Sequence, residues 1–194
     1  MEPKKPKRDV RQASLAEAKA IIADVGLEHL SLREVARRLG ISHQAPYKHF
    51  PSRDHLLAEI VAQTFAEFAA YLDAVPRAGD PHADLASLGV AYLNYAARYP
   101  LDYRLMFGST LPDPSTHPAM MHHARHAFDV LLSALARLPE RSACSDAVRT
   151  QDALFIWSSL HGFAMMTQTR ALETVALPPD SLSEAPASLL MRIG

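Results

Sequence analysis

Four side chains that could recognise DNA base edges fall within one short segment of this 194-residue chain. Gln44 can pair bidentately with adenine, Ala45 can contact a thymine methyl group, and Lys48 can reach guanine acceptors or a phosphate. His43 completes the set, and Ser42 precedes it. Side chains of these types near the start of a helix are suited to the major groove.

The polar residues around this segment are suited to phosphate oxygens, which position a protein on DNA but carry no sequence information. Tyr47 and His49 offer a hydroxyl and an imidazole, and Arg53 adds a charge at the start of the next helix. Arg33 lies near the start of the preceding helix, from where it could reach DNA. The candidate DNA-binding residues are Arg33, Ser42, His43, Gln44, Ala45, Tyr47, Lys48, His49 and Arg53.

Two short helices joined at Gly40 must hold these side chains. The first begins after Ser31, because this N-cap residue and Glu34 three positions later form a capping-box pattern. Gly40 ends it, since glycine readily adopts the left-handed conformation that follows many helices.

The second short helix is predicted from Ser42 to about His49, because Ser42 can cap it and Pro51 cannot continue it. Pro46 lies inside this range and has no N–H to donate. We therefore expect this helix to begin nearer Gln44 or to be locally distorted.

Helical periodicity extends through the rest of the chain, and no strand pattern stands out. A first helix over about 10–25 ends at Gly26, and a long fourth helix begins after Ser52. The pattern predicts an all-α protein with about nine helices. After a stretch with Pro and Gly at 76–81, the remaining helices are predicted over about 83–99, 103–107, 119–138, 145–172 and 184–192.

Apolar stripes with helical spacing indicate which residues face the core. The first helix has Leu15, Ala18, Ile21, Ile22 and Val25, and the fourth has Leu56, Leu57, Ile60, Val61, Phe65, Phe68 and Leu72. On the helix over 119–138 the predicted core residues are Met121, Ala124, Phe128, Leu131, Leu132, Leu135 and Leu138.

Three stretches carry a resemblance to a known family: LSLREVARRLGIS at 30–42, YKHF at 47–50 and PSRDHLL at 51–57. Together they resemble the TetR family of bacterial transcription regulators. The resemblance implies an all-helical homodimer with an N-terminal three-helix head of the helix-turn-helix type and a C-terminal domain for ligand binding and dimerisation. It implies that His43, Gln44, Ala45 and Lys48 read bases with Arg33, and that Tyr47, His49 and Arg53 hold the DNA backbone. The expected domains are 1–54, including a basic tail at 1–11, and 55–194.

The most direct functional prediction is a ligand-responsive repressor. The dimer would bind a palindromic operator, and a small-molecule effector would release it. Two alternatives remain: a metal-responsive regulator, and a helical interaction protein that does not bind DNA. An enzyme with His161 as a base near Ser158 or Ser159 is less favoured, because no nucleophile elbow or phosphate loop accompanies them.

Trp157, His161 and Gly162 resemble the WHG type of C-terminal domain found among TetR-like regulators. Their helix is apolar around most of its circumference, so it must be covered on all sides. The resemblance implies a dimer built from the last two helices, with Phe155, Trp157, Ser158, Gly162 and Met166 as the predicted interface.

An apolar cavity with a few polar tips is predicted for the effector. Ordinary core packing explains the same residue types, and their mixture favours an apolar or aromatic effector. The candidate pocket residues are Tyr92, Tyr95, Tyr103, Met106, Phe107, Phe128, Trp157, His161 and Met165.

Four histidines, His117, His122, His123 and His126, form a second constellation. His122 and His126 are four positions apart, which is a workable metal-binding spacing on a helix. No neighbouring cysteine or carboxylate completes a ligand set in the sequence, so exposed histidines are the simpler interpretation. We expect neither a bound metal nor a cofactor.

Charge and composition agree with these predictions. Residues 1–60 carry 11 Lys and Arg against 8 Asp and Glu, whereas residues 61–194 carry 9 against 13. The basic end therefore suits a polyanion. The single cysteine, Cys144, excludes an internal disulfide and fits a reducing compartment. With no membrane span or secretion signal in view, a cytoplasmic location is expected.

Overall fold

The computed structural model describes residues 9–108 and 111–175. These residues form seven α-helices and no strand, so the all-α prediction is confirmed and the count of about nine helices is wrong. The segment from Ser42 to His49 contains only a short 3-10 helix, and the predicted helix over 184–192 lies outside the described residues. The helices are α1 (Val10–Val25), α2 (Leu32–Leu39), α3 (Arg53–Asp73), α4 (Pro81–Arg98), α5 (Pro100–Phe107), α6 (Pro118–Leu135) and α7 (Asp146–Gln168).

The chain divides into two compact units. Of the described residues, the first contains 9–63 and 111–121, and the second contains 64–108 and 122–175. Among the described helices, none combines the length and the apolar character that crossing a membrane requires.

Helix α1 begins after Asp9, whose Oδ1 accepts a hydrogen bond from the Arg11 N–H at 3.0 Å. Four of its predicted core residues are buried, but Val25 is 46% exposed. Val25 is the last helical residue, and Gly26 then turns the chain with a φ of 98°. The periodicity therefore predicted the core face well but extended it one turn too far.

Helix α2 begins as predicted, because the Ser31 Oγ accepts a hydrogen bond from the Glu34 N–H at 3.1 Å. It packs against α1, and Leu32, Val35 and Ala36 are buried. On α3 the entire predicted apolar face is buried, from Leu56 to Leu72. The periodic pattern was most reliable on these helices.

In the second unit, α4 packs against α5 and α7. Pro100 lies at the first position of α5, where its missing N–H costs no helical hydrogen bond. The Gln168 Nε2 donates a hydrogen bond to the Ala96 carbonyl at 3.0 Å, which ties the end of α7 to α4. Residues from three helices can therefore converge inside this unit.

The core residues predicted for the helix over 119–138 are confirmed only in part: Leu135 and Leu138 are buried, whereas Ala124, Phe128, Leu131 and Leu132 are half-buried. Met121 is 42% exposed, whereas Met120, Ala127 and Ala134 are buried. The prediction followed the large apolar side chains, but the packed row has two alanines seven positions apart. Phe128, half-buried beside this row, contacts the Trp157 ring.

Candidate nucleic-acid interface and effector site

The turn after α2 is a Schellman motif, which fixes the direction of the segment that follows. The Ile41 N–H donates to the Ala36 carbonyl at 3.1 Å, and the Gly40 N–H donates to the Arg37 carbonyl at 3.2 Å. Gly40 is left-handed, with φ 65° and ψ 33°. This is the conformation that the sequence predicted from its glycine.

The second short helix, predicted from Ser42 to about His49, is in fact a turn followed by a 3-10 helix at Pro46–Lys48. An α-helix would need an N–H at Pro46 to reach the Ser42 carbonyl, but proline has none. The Ser42 carbonyl instead accepts from the Ala45 N–H at 2.9 Å. The Pro46 carbonyl accepts from the N–H groups of His49 and Phe50, both at 2.9 Å.

Pro46 and Phe50 are fully buried and anchor this segment to the core. The anchoring leaves Tyr47, Lys48 and His49 exposed between them. A single distorted turn therefore presents three side chains that can contact phosphate.

Arg33, His43, Gln44 and Tyr47 line one open hollow on the surface of the first unit. All four side chains are exposed, so their hydrogen-bonding groups are accessible to a partner. Arg33 comes from α2 and the other three from the turn, as the sequence predicted for a shared surface. Together they present a guanidinium, an imidazole, an amide and a phenol.

Ser42 and Ala45 lie in the same segment of the chain but do not line the hollow. The Ser42 Oγ accepts a hydrogen bond from the Gln44 N–H at 3.3 Å, so it caps the turn locally. Ala45 is half-buried. Contact of either residue with DNA stays a prediction.

Arg53 binds the protein's own backbone. Its Nε donates to the Leu30 carbonyl at 3.0 Å and its Nη2 donates to the Leu27 carbonyl at 2.9 Å. Its Nη1 lies 3.8 Å from the Asp54 carboxylate. These contacts brace the connection between α1 and α2, a role that the sequence reasoning missed.

Arg37 and Arg38 also form hydrogen bonds within the first unit. Arg37 donates to both Glu34 oxygens, at 2.7 and 2.6 Å, and Arg38 donates to Glu34 at 3.2 Å and to Asp24 at 2.7 Å. The hydrogen bonds from Arg37 are the main cause that lowers the pKa of Glu34 to about 2. The three- and four-residue spacing from Glu34 was the available sequence signal.

In the second unit, four side chains from α4, α5 and α7 form a continuous chain of hydrogen bonds. The Trp157 Nε1–H donates to the Tyr92 hydroxyl at 3.2 Å. The Tyr92 and Tyr103 hydroxyls are 2.7 Å apart, and the Tyr103 hydroxyl lies 2.6 Å from Nδ1 of His161. The Tyr92 hydroxyl is farther from this nitrogen, at 3.4 Å.

Burial determines the protonation states of Tyr92, Tyr103 and His161. It raises the pKa of Tyr92 to about 12 and raises the pKa of Tyr103 well above its ordinary value. It also lowers the pKa of His161. Both hydroxyls therefore stay protonated, and the imidazole is neutral at neutral pH.

Aromatic rings surround the imidazole. The Phe107 ring centroid lies 5.0 Å from that of His161 and 5.9 Å from that of Trp157. Phe128 lies 5.8 Å from Trp157. Six of the nine predicted pocket residues are thus brought together: Tyr92, Tyr103, Phe107, Phe128, Trp157 and His161.

The other three pocket candidates occupy different surroundings. Tyr95 packs its ring 4.9 Å from Phe68, and burial raises its pKa. Met106 is fully buried, and Met165 is half-buried. Phe68, which was predicted only as a core residue, also lies 5.5 Å from the Tyr92 ring.

Known proteins match both parts of the chain. The model described as bacterial regulatory proteins, tetR family, matches residues 15–60, and the model described as tetracyclin repressor-like, C-terminal domain, matches residues 85–189. The second match alone covers more than half of the chain. The chain belongs to the TetR family.

The curated relatives that the chain matches are transcription regulators by name. The HTH-type transcriptional regulator Rv1816 of Mycobacterium tuberculosis is 31% identical over 118 residues, which cover 55% of this chain and 48% of that protein. The chain spans about half the length of the curated relatives it matches.

Two solved structures from Rhodococcus RHA1 share the fold. A protein of unknown function has a TM-score of 0.80 at 24% identity, with 98% of each chain covered. A bacterial regulatory protein in the tetR family has a TM-score of 0.71 at 18% identity, covering 97% of this chain and 98% of that one.

Helix α7 of this TetR-family chain has an exposed apolar face opposite its buried one. Phe155 is 65% exposed and Met166 is 43% exposed. Ser158 is also exposed, and Gly162 falls between Phe155 and Met166 with helical spacing. Trp157 points its indole N–H toward Tyr92 instead, so much of its side chain serves the aromatic cluster.

The histidines considered for a metal site have other neighbours. The His126 Nε2 lies 2.8 Å from the Asp73 carboxylate, and the rings of His122 and His123 are 5.4 Å apart. The His117 ring lies 5.1 Å from that of His55. Among the residues that the structure describes, no group of three or more His, Cys, Asp or Glu could hold a metal ion.

The serine and histidine considered for an enzyme also have other partners. The Ser159 Oγ donates to the Phe155 carbonyl at 2.8 Å. The His161 Nδ1 faces the two tyrosine hydroxyls.

Proposed function

We propose that the chain is a ligand-responsive repressor that acts as a homodimer, with a DNA-binding head at 1–54 and an effector and dimerisation domain at 55–194. The dimer binds a palindromic operator, and a small apolar or aromatic effector releases it.

The hollow lined by Arg33, His43, Gln44 and Tyr47 is the observation that carries this proposal. Gln44 offers an amide donor and acceptor to adenine, and His43 and Arg33 approach neighbouring base edges. Exposed Lys48 and His49 lie beside them and contact phosphates. Arg53 acts mainly by bracing α1 and α2, which fixes the angle of the turn.

The exposed face of α7 supports the dimer. Leaving Phe155 and Met166 in water is unfavourable, and a second copy of the same face would cover them. Ser158 and Gly162 complete this face, and Gly162 allows close backbone approach. A dimer also supplies the two heads that successive major grooves require, about 34–36 Å apart.

The aromatic cluster around His161 supports the effector site. Its rings provide apolar contact area, and its single chain of polar groups fixes orientation. The effector releases DNA by preferring one arrangement of the two heads over the other. A preference of a few kcal/mol is sufficient for this coupling.

Fluorescence anisotropy of the full chain on labelled DNA tests the head. The DNA is an operator selected from random sequences by the wild-type protein, compared with a scrambled sequence of equal length. Lys48→Ala should weaken binding to both sequences and lower the salt-dependence slope by about 1. Gln44→Ala should cost about 1–3 kcal/mol on the operator and little on the scrambled sequence.

Arg125→Ala is the matched control for charge. Arg125 is 73% exposed and pairs with Asp129 in the second unit, so its loss removes one positive charge without touching the head. The proposal is wrong if the wild type does not distinguish operator from scrambled DNA, or if Arg125→Ala weakens binding as much as Lys48→Ala.

A further inference from the structure

The chain of hydrogen bonds from Trp157 to His161 has a fixed direction, and it ends on a donor. We infer that the aromatic site takes an uncharged ligand with one acceptor oxygen, such as a ketone or ester carbonyl, which the His161 Nε2–H recognises. This inference rests on the proposed effector function of the second unit and specifies the chemical class of the effector.

The direction follows from the types of groups in the chain. The Trp157 indole can only donate, so the Tyr92 oxygen accepts from it. The Tyr92 O–H then donates to the Tyr103 oxygen, and the Tyr103 O–H donates to Nδ1 of His161. Every hydroxyl hydrogen in this arrangement has an acceptor. The neutral imidazole must therefore carry its hydrogen on Nε2.

The opposite tautomer leaves a buried group without a partner. If Nδ1 carried the hydrogen, it would donate to the Tyr103 oxygen, and Tyr103 would donate to Tyr92. The Tyr92 oxygen would then accept hydrogen bonds from both Tyr103 and Trp157. Its own O–H would have no acceptor among the four hydrogen-bonded side chains. An unsatisfied buried donor is costly, and Tyr92 is only 6% exposed. Trp157, Tyr92 and Tyr103 are thus positioning residues for the His161 tautomer.

The Nε2–H of His161 is available to a partner outside the four hydrogen-bonded side chains. Among the described residues, no hydrogen bond engages this nitrogen. His161 is half-buried, as are the neighbouring rings of Phe107, Phe128 and Trp157. A ligand that lies on these rings places its acceptor at this N–H, because the other polar groups of the cluster are hydrogen-bonded to one another.

None of the four hydrogen-bonded side chains carries a charge, and this determines the class of ligand. Tyr92 and Tyr103 remain protonated and His161 remains neutral at neutral pH. A carboxylate or ammonium ligand would lose its hydration there without gaining a counter-charge from these groups. A carbonyl oxygen, in contrast, needs only the single donor.

The tautomer is measured directly on the full-length protein by two-bond ¹H–¹⁵N correlation of histidine side chains. The His161 signals are identified by their loss in His161→Gln. The expected result is a protonated Nε2 and an unprotonated Nδ1 at pH 7.5. Protonation at Nδ1 would overturn the inference.

Four compounds of similar size then test the ligand class: acetophenone, ethylbenzene, benzoate and protonated 1-phenylethylamine. Trp157 is the only tryptophan, so its single indole N–H cross-peak reports binding at this site. Acetophenone should bind about fivefold to tenfold more tightly than ethylbenzene, because it alone of the two accepts a hydrogen bond. The two ions should bind more weakly than acetophenone.

Three outcomes would each overturn the inference: equal binding of acetophenone and ethylbenzene, tighter binding of benzoate than of acetophenone, or no shift with acetophenone up to its solubility limit.

Tyr103→Phe should reduce the preference for acetophenone over ethylbenzene. Tyr71→Phe, which removes a hydroxyl from α3 outside the chain of hydrogen bonds, should retain it. DNA binding is measured separately: selective acetophenone binding without any effect on operator binding would overturn the proposed release and leave this inference standing.

Discussion

The Tyr103 hydroxyl lies 2.6 Å from Nδ1 of His161, which joins α5 to α7 by a short hydrogen bond inside an aromatic cluster. Tyr103 is fully buried, and its ring packs 4.9 Å from that of Phe107. The hydroxyl is thus held by its neighbours, and both of its hydrogen-bond roles are used.

Removing this hydroxyl should destabilise the protein. Tyr103→Phe keeps the ring but leaves the Tyr92 O–H and the His161 Nδ1 without their partner, which should cost about 1–3 kcal/mol of unfolding free energy. Urea unfolding followed by circular dichroism measures it. Tyr71→Phe should cost less than half as much, and equal costs would show that the chain of hydrogen bonds contributes nothing specific.

Acid should destabilise the protein through His161. Burial lowers its pKa in the folded state, so the unfolded state binds the proton more readily. Its contribution is full above the unfolded value of about 6.5 and decreases as the pH falls from there toward the lower folded pKa. The free energy of unfolding from pH 8 to 5 should therefore fall less steeply for His161→Gln than for the wild type. Identical slopes would contradict the burial of this imidazole.

A side chain at Gly40 should lower the free energy of unfolding, because this residue is left-handed. A Cβ at this position meets no atom within 4 Å, so the whole cost of Gly40→Ala is conformational. The expected loss is about 1–2 kcal/mol of unfolding free energy, with a smaller loss for Gly40→Asn because asparagine tolerates this conformation better. Chemical denaturation of the three proteins measures the order, and Asn destabilising more than Ala would contradict the assigned turn.

Gly162→Ala should separate helix stability from dimerisation. An added Cβ meets nothing within 4 Å in the protomer, and alanine favours a helix over glycine by about 1 kcal/mol. The protomer should therefore tolerate the change, while a close interface should not. Sedimentation equilibrium should show weaker association for Gly162→Ala and a monomer for Phe155→Glu. Val90→Glu, at a 44% exposed apolar residue of α4, is the control that should remain dimeric.

Local signals in the sequence predicted the ends of α2 and the buried face of α3. Ser31 and Gly40 marked the two ends of α2, and the spacing from Leu56 to Leu72 gave the buried face of α3. These features depend on neighbouring residues, so periodicity and capping rules detect them. The 3-10 segment was only partly predicted: Pro46 signalled distortion, but the burial of Phe50 that anchors the turn is a tertiary contact.

The aromatic cluster around His161 was harder to predict, because it depends on contacts between residues that lie far apart in the sequence. Residue types nominated Tyr92, Tyr103, Trp157 and His161, but nothing in their spacing showed that they form one directed chain of hydrogen bonds. Part of the face of α6 was misplaced for a related reason, since Ala127 and Ala134 pack where larger side chains were expected. Packing between helices decided both features.

The claim that two heads read one operator is tested most directly by hydroxyl-radical footprinting of the full chain on a sequence it has selected from random DNA. The account predicts two protected half-sites related by a palindrome and centred about 34–36 Å apart, or a multiple of that distance. Both should weaken together in Gln44→Ala and in Phe155→Glu. A single protected half-site, unchanged by Phe155→Glu, would contradict a paired reader.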